Sequence, residues 1–246
     1  MEGHGLLEDK AVLVTAAAGT GIGFATAKRC LEEGARVFIS DAHERRLGEA
    51  AEQLGVESVV CDVTDESHVQ RMIDTTMSTL GGLDVLVNNA GLGGTANVVD
   101  MTDDQWNAVL GVTLTGTFRC TRAALQHMQP RGRGAIVNNA SVVGWRAQEG
   151  QGHYAAAKAG VMALTRCAAL DLAPHGIRVN AVSPSLAMHP FLAKVTSDEL
   201  LHELKQREAF GRAAEPWEVA NVMVFLASDY SSYLTGEVVS VSSQRA

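Results

Sequence analysis

Short apolar runs recur along the chain at 11–15 (AVLVT), 36–40 (RVFIS), 58–61 (SVVC), 83–87 (LDVLV), 134–140 (GAIVNNA), 177–183 (IRVNAVS) and 236–242 (GEVVSVS). They are rich in Val, Ile and Leu and read as continuous apolar stretches, the pattern of strands buried on both faces. Between them lie longer segments of helical period, at about 21–33, 44–54, 65–80, 102–128, 152–173 and 215–228. One strand followed by one helix, repeated, predicts an α/β fold: a doubly wound parallel sheet of about seven strands with helices on both faces. The one long connection without a strand, 184–214, carries the helical piece SDELLHELKQ. It follows the carboxyl end of the sixth strand, where ligands bind in such sheets, so it is expected to form a substrate lid. No repeat, low-complexity tract or linker divides the chain, and 1–246 reads as a single domain.

Composition narrows the partners. With 46% hydrophobic and 20% charged residues, the 246-residue chain can bury a full core. The opening MEGHGLLEDK lacks the basic start and apolar run of a signal peptide, and apolar runs such as AVLVTAAAG stop too early to span a bilayer. A cytoplasmic protein with no membrane partner is expected. Cys30, Cys61, Cys120 and Cys167 form no C-x-x-C pair and no zinc-spaced group, which points to reduced thiols and no metal site. A net charge of −8 opposes attraction to nucleic acid, leaving a small-molecule substrate as the expected partner.

The first strand runs into TAAAGTGIGFATAKRC, placing Gly19, Gly21 and Gly23 in the turn before a helix. Small residues there let the backbone approach a pyrophosphate, whose charge meets the free N–H groups of the helix start. Glycines also mark plain tight turns, so the second strand decides. It ends at Asp41, where a carboxylate accepts hydrogen bonds from the adenosine ribose hydroxyls and repels a 2′-phosphate. The expected cofactor is therefore NAD, although His43, Arg45 and Arg46 follow closely as a competing basic signal.

In GQGHYAAAKAG, Tyr154 and Lys158 lie four residues apart and so share one helix face. Moving a hydride between a carbinol carbon and a nicotinamide requires a group that gives or takes the oxygen's proton. A phenol of pKa about 10 is helped toward phenolate by a nearby ammonium. An exposed Tyr–Lys pair is common on amphipathic helices, but Ser141 sits at the end of the fifth strand, where its hydroxyl can hold the substrate oxygen beside the phenol. Ser141 is not read as a hydrolase nucleophile, because NNASVVG lacks a G-x-S-x-G elbow.

The glycine turn, CDVTD after the third strand, NNAG at 88–91, Ser141 thirteen residues before YAAAK, IRVNAVSP and the closing FLASDYSSYLTGEVVSV together resemble the short-chain dehydrogenase/reductases, over nearly the whole chain. The resemblance implies a Rossmann-like fold and assigns Tyr154 as acid/base, Lys158 to the nicotinamide ribose and Ser141 to the carbonyl. It carries cofactor contacts onto Ala17, Gly19, Thr20, Gly21, Ile22 and Gly23, onto Asp62 and Val63 near the adenine, and onto Asn89, Ala90, Gly91, Pro184 and His189. It also implies a homo-oligomer, a tetramer built on the helices at 102–128 and 152–173.

The chain departs from the family pattern at several points. Ala16 and Ala17 occupy the first positions of the phosphate turn, a strain if φ is positive there. Thr113 stands where an asparagine usually holds the water of the proton relay and is assigned the same catalytic relay here. SPSLAMHP ends with His189 in place of a threonine. The phrases TAAAGTGIG, SDAHERRLGEA, NNASVVGWRAQ and YSSYLTGEVVSVSSQRA are similar to an actinobacterial branch linked to cholesterol ring C/D degradation, which implies an indane-propionyl-CoA alcohol or ketone as substrate. Trp145 is then expected to line an apolar ring pocket, and Arg146, Lys194 and Arg212 to supply cations for a CoA thioester. The alternatives are an NADPH-dependent 3-oxoacyl-thioester reductase and a low-turnover dinucleotide-binding redox sensor.

Overall fold

The computed structural model describes residues 3–188 and 198–243. The predicted strands form one seven-stranded, wholly parallel sheet: β1 (Ala11–Val14), β2 (Arg36–Asp41), β3 (Glu57–Val60), β4 (Val85–Asn88), β5 (Gly134–Asn139), β6 (Ile177–Pro184) and β7 (Val238–Val241). Their order is β3-β2-β1-β4-β5-β6-β7, so the chain winds outward from β1 in one direction and then from β4 in the other. The reversal leaves a crevice at the carboxyl ends of β1 and β4, where such sheets bind ligands.

Alternating side chains on each strand build a core on both faces. Val12 and Val14 of β1 pack with Val37, Ile39, Val85 and Val87 under α1 (Ile22–Glu32), α2 (Glu44–Leu54) and the last long helix. Leu13, Phe38, Leu86 and Ile136 point the other way, onto α3 (Glu66–Leu80) and the helices that follow β4 and β5. This two-sided burial is why the strands read as unbroken apolar runs. Among the described residues no helix is long and apolar enough to cross a membrane.

The segment expected as one helix over 102–128 is divided. It forms α4 (Asp103–Leu110), a π-helical turn over Gly111–Thr115, and α5 (Gly116–Arg131). Thr102 caps α4 with a capping box to Gln105. At the π turn, Gly116 lies so close to Val63 that a Cβ would fall 2.6 Å from its Cγ2. A π turn adds a residue to one helical turn and re-aims the side chains that follow it, a displacement that an amphipathic pattern does not reveal.

The helix of the Tyr154–Lys158 pair, α6 (Gly152–Leu172), packs on this turn, and a Cβ at Gly160 would lie 2.7 Å from Leu114 Cδ2. Gly160 thus serves the contact between helix and π turn. In the long connection after β6, α7 (Asp198–Gln206) precedes α8 (Pro216–Ala227). Its two described ends are tied together by Ala214 N–H donating to Leu186 O and by Met188 N–H donating to Ala214 O, at 2.8 and 2.9 Å. His189 and Lys194 lie outside the described residues.

A buried polar chain crosses the sheet below the crevice. Asn88 Nδ2 donates to Thr121 Oγ1 (3.0 Å) and to Asn138 Oδ1 (2.9 Å), and Asn138 Nδ2 donates to Thr165 Oγ1 (2.9 Å). It joins β4 and β5 to α5 and α6, the elements that carry the site. Asn138→Ala removes one hydrogen-bond partner from the Asn88 amide and one from the Thr165 hydroxyl in a buried interior, so urea unfolding should show a loss of about 1–3 kcal/mol.

Candidate active site

At the carboxyl end of β1 the backbone turns sharply. Ala16 adopts φ 51° and Gly19 φ 88°, so an alanine does occupy a left-handed position in this turn. Asn89 holds it there: its Nδ2 donates to Ala16 O at 2.9 Å, while Thr15 Oγ1 accepts from the N–H groups of Asn89 (3.0 Å) and Ala90 (3.2 Å). These bonds offset a conformation that costs a non-glycine residue on the order of 1 kcal/mol. Gly23 is obligatory, since a Cβ there would lie 2.4 Å from Ala16 O.

Gly21 caps the 11-residue α1 without a side-chain hydrogen bond, and the first turn contains no acidic residue. Its leading N–H groups are therefore left for an external anion. Thr20 is exposed, Ile22 half-buried, and a Cβ on Gly19 or Gly21 would meet no atom within 4 Å. A pyrophosphate fits here on three counts: an uncapped helix start, an open approach and a close-packed floor at Gly23.

Asp41 ends β2 beside this turn. Its Oδ2 accepts from Ala18 N–H (3.1 Å) and its Oδ1 from His43 N–H (2.9 Å), which fixes the plane of a half-buried carboxylate that retains lone pairs for a diol. Arg45 points into an ion pair with Glu49 at 2.6 Å, the helix-surface pairing that competes with a role at a 2′-phosphate. Ala17 is buried and its N–H donates to Ser40 O. Asp62 accepts from Thr64 N–H and Oγ1–H and is exposed next to buried Val63. Pro184 is buried at the end of β6.

Ser141, Tyr154 and Lys158 come together. Gly144 makes this possible: a Cβ there would lie 3.0 Å from Ala159 N and 3.1 Å from Lys158 C, so the turn after Ser141 rests directly on the backbone of α6. The Ser141 hydroxyl hydrogen-bonds the Tyr154 phenol and accepts from Val143 N–H at 3.3 Å. Lys158 is 3% exposed, with Nζ 5.6 Å from the Tyr154 ring centre and donating to Asn139 O at 2.5 Å. Gly91 adjoins both Lys158 Nζ and Thr113 Oγ1, within 4 Å of a Cβ built on it.

Burial dominates the acid–base behaviour. It pushes the Tyr154 phenol above its ordinary value, partly countered by the Ser141 hydrogen bond, and pulls the Lys158 ammonium down to about 8. Burial thus outweighs the lowering expected for the phenol. A phenol held protonated is suited to donate to a carbonyl oxygen.

Thr113 is fully buried, but its hydroxyl does not bond Lys158. It accepts from Leu92 N–H at 3.0 Å and donates to Leu92 O at 3.3 Å. These two bonds tie the loop after Gly91 to the π turn that carries Thr113. Asn139, quoted in the NNAS run but given no role, is the residue that sequence reasoning missed. Its carbonyl takes Lys158, and its Nδ2 donates to Asn89 Oδ1 at 2.8 Å, linking the lysine to the phosphate turn. Two amides ending an otherwise apolar strand were the available signal.

Trp145 is half exposed, and Arg146 borders a cavity of about 290 Å³ that starts at Val142. Arg212 instead makes a double ion pair with Glu218 at 2.7 and 2.8 Å and lines a separate cavity with Ser185 and Ser243. His153 is buried against Gly94, away from the phenol's partner Ser141. Among the described residues no group of three or more His, Cys, Asp or Glu side chains is placed to hold a metal.

Residues 16–243 match the family model described as enoyl-(acyl carrier protein) reductase. A Mycobacterium tuberculosis protein named (5R,7aS)-5-hydroxy-7a-methyl-1-oxo-2,3,5,6,7,7a-hexahydro-1H-indene-carboxyl-CoA reductase is 66% identical, over 98% of this chain and 95% of its own length. The 3-oxoacyl-(acyl-carrier-protein) reductase of Thermotoga maritima is 39% identical, over 96% of this chain and 97% of its own length. The crystal structure of a short chain dehydrogenase from Mycobacterium smegmatis superposes with a TM-score of 0.89 at 60% identity, covering 100% of this chain and 97% of that one. This chain therefore belongs to the short-chain dehydrogenase/reductase family, which binds a nicotinamide dinucleotide, and is an oxidoreductase acting between a hydroxyl and a ketone.

Proposed function

We propose that this protein uses NAD(H) to interconvert a secondary alcohol and a ketone on a bulky alicyclic CoA thioester, an indane acid derived from a steroid. The observation that carries the chemistry is the meeting of Ser141, Tyr154 and Lys158 beside the phosphate turn, held by Gly144 against α6. The substrate class rests on the 66% identity to the mycobacterial indene-carboxyl-CoA reductase. The choice of NAD rests on the carboxylate of Asp41, oriented by Ala18 and His43 at the end of β2.

When bound, the nicotinamide supplies or accepts the hydride at the substrate carbon. The chain's own residues do the rest. Free N–H groups at the start of α1 hold the pyrophosphate, and Asp41 takes the ribose hydroxyls. Ser141 orients the substrate oxygen next to the phenol. Tyr154 gives its proton to that oxygen in reduction and takes it back in oxidation. The charge of Lys158 stabilises the phenolate left behind, and Asn139 O holds the ammonium in place. Thr113 positions the loop at Leu92.

The same reading makes the protein a cytoplasmic homotetramer, in the compartment that holds acyl-CoA and dinucleotide pools. Exposed Trp106 on α4, Phe118 on α5 and Leu170 on α6 give those helices the apolar surface such an assembly covers.

Initial rates should favour an indane thioester with NAD(H). A preference for linear 3-oxoacyl thioesters with NADPH would overturn the proposal. Tyr154→Phe should lower turnover by about 10²–10⁴-fold, the usual contribution of a positioned acid, while fluorescence titration shows NADH binding intact. Reduction needs a protonated phenol and a charged lysine. The phenol, shifted upward, keeps its proton through neutral pH, so the rate should fall first as pH rises through about 8, where Lys158 loses its charge. In Lys158→Arg, whose guanidinium does not titrate in this range, the falling limb of the pH–rate profile should move upward. Asp41→Asn keeps an acceptor for Ala18 but removes the charge. Its preference for NAD over NADP should shrink by about tenfold, the worth of one charge-assisted hydrogen bond.

A further inference from the structure

A cavity of about 290 Å³ lies between the β5–α6 connection and the end of α7. Its floor is apolar, made of Val142 and Val143 directly after Ser141 and of Leu204 on α7, while Arg146, Gln148 and Arg207 stand around it. Arginines from opposite walls thus face one cavity in a chain of net charge −8. Like charges converging on one space favour an anion between them.

Arg207 reaches back one turn to Glu203 at 2.5 Å, with both side chains more than half exposed. Exposed helix pairs of this kind contribute little and exchange readily for a stronger anion. Arg212, the other arginine considered for this role, borders a different cavity.

We propose that Arg146 and Arg207 clamp the phosphates of the coenzyme A half of the substrate, with the apolar floor carrying the arm that leads to Ser141; this rests on the thioester reading above. The planar guanidinium fork matches phosphate oxygens two at a time. A cavity of 290 Å³ is at the lower limit of small-molecule pockets, so it takes only part of coenzyme A, and the adenosine end lies outside. An anion shared by Arg146 and Arg207 ties α7 to the connection that carries Ser141. Binding energy from a part of the substrate remote from the chemistry then helps assemble the reacting end.

The test is calorimetric titration with free coenzyme A in the presence of saturating NADH, which keeps the nucleotide out of the dinucleotide site. Arg146→Gln and Arg207→Gln should each weaken coenzyme A binding by about tenfold and flatten its dependence on salt. Arg133→Gln, an exposed residue before β5 at the opposite edge of the sheet, should leave it unchanged. In initial-rate assays, the preference in kcat/KM for the CoA ester over the N-acetylcysteamine ester of the same acid should collapse in the Arg146→Gln/Arg207→Gln double variant. Unaltered coenzyme A affinity in both single variants, or an equal loss in Arg133→Gln, would overturn the clamp. If coenzyme A binds through the arginines but no indane thioester is turned over, the clamp stands and the acyl assignment falls.

Discussion

A lysine ammonium with 3% exposure is costly to bury, and the active site is arranged around meeting that cost. Lys158 has the carbonyl of Asn139 at 2.5 Å and the face of Tyr154 beyond it, which is little compensation for lost water, and its proton affinity is depressed accordingly. The charge is kept where it stabilises a phenolate, and everything near it is small. Gly91, Gly144 and Gly160 each allow a neighbour to approach Lys158, its helix or the turn beside it. The alanine and glycine that make α6 look featureless are the condition for burying one cation next to one phenol.

That dependence extends into the sheet. Asn139 reaches Asn89, and Asn89 in turn holds Ala16 in its left-handed conformation. The lysine and the phosphate turn are therefore two ends of one hydrogen-bonded run across β5, β4 and β1. One residue to the amino-terminal side, Asn88 and Asn138 make a parallel run into α5 and α6. Neighbouring strand ends joined by amides cannot slide past one another without leaving polar groups unpaired.

The fold was legible because the period of the apolar residues is a direct trace of burial. All seven strands and the helices at their ends fall near their expected places. What the pattern could not carry was the π turn at 111–115, since inserting one residue into a turn alters direction and hardly alters amphipathicity. In the site, Ser141, Tyr154, Lys158, Gly23 and Asp41 were legible by spacing. The contacts of Thr113 with Leu92 were not, because a hydroxyl's partners depend on which backbone faces it. Arg207 was equally hidden: just after α7 it has the spacing of an ordinary surface ion pair with Glu203, and only the opposite wall of the cavity gives it a second meaning.

The contact of Gly144 with the backbone of α6 bears on how such a protein can diverge. A larger side chain at Gly144 would drive the Ser141 turn off α6, and one at Gly160 would push α6 away from the π turn, so neither position can drift without disabling the chemistry. New substrates must then be acquired at the other wall, at Arg146, Ala147, Gln148, Leu204 and Arg207, which line the cavity without supporting the reacting groups. The fold separates a frozen half, where inheritance is strict, from a permissive half where lineages experiment.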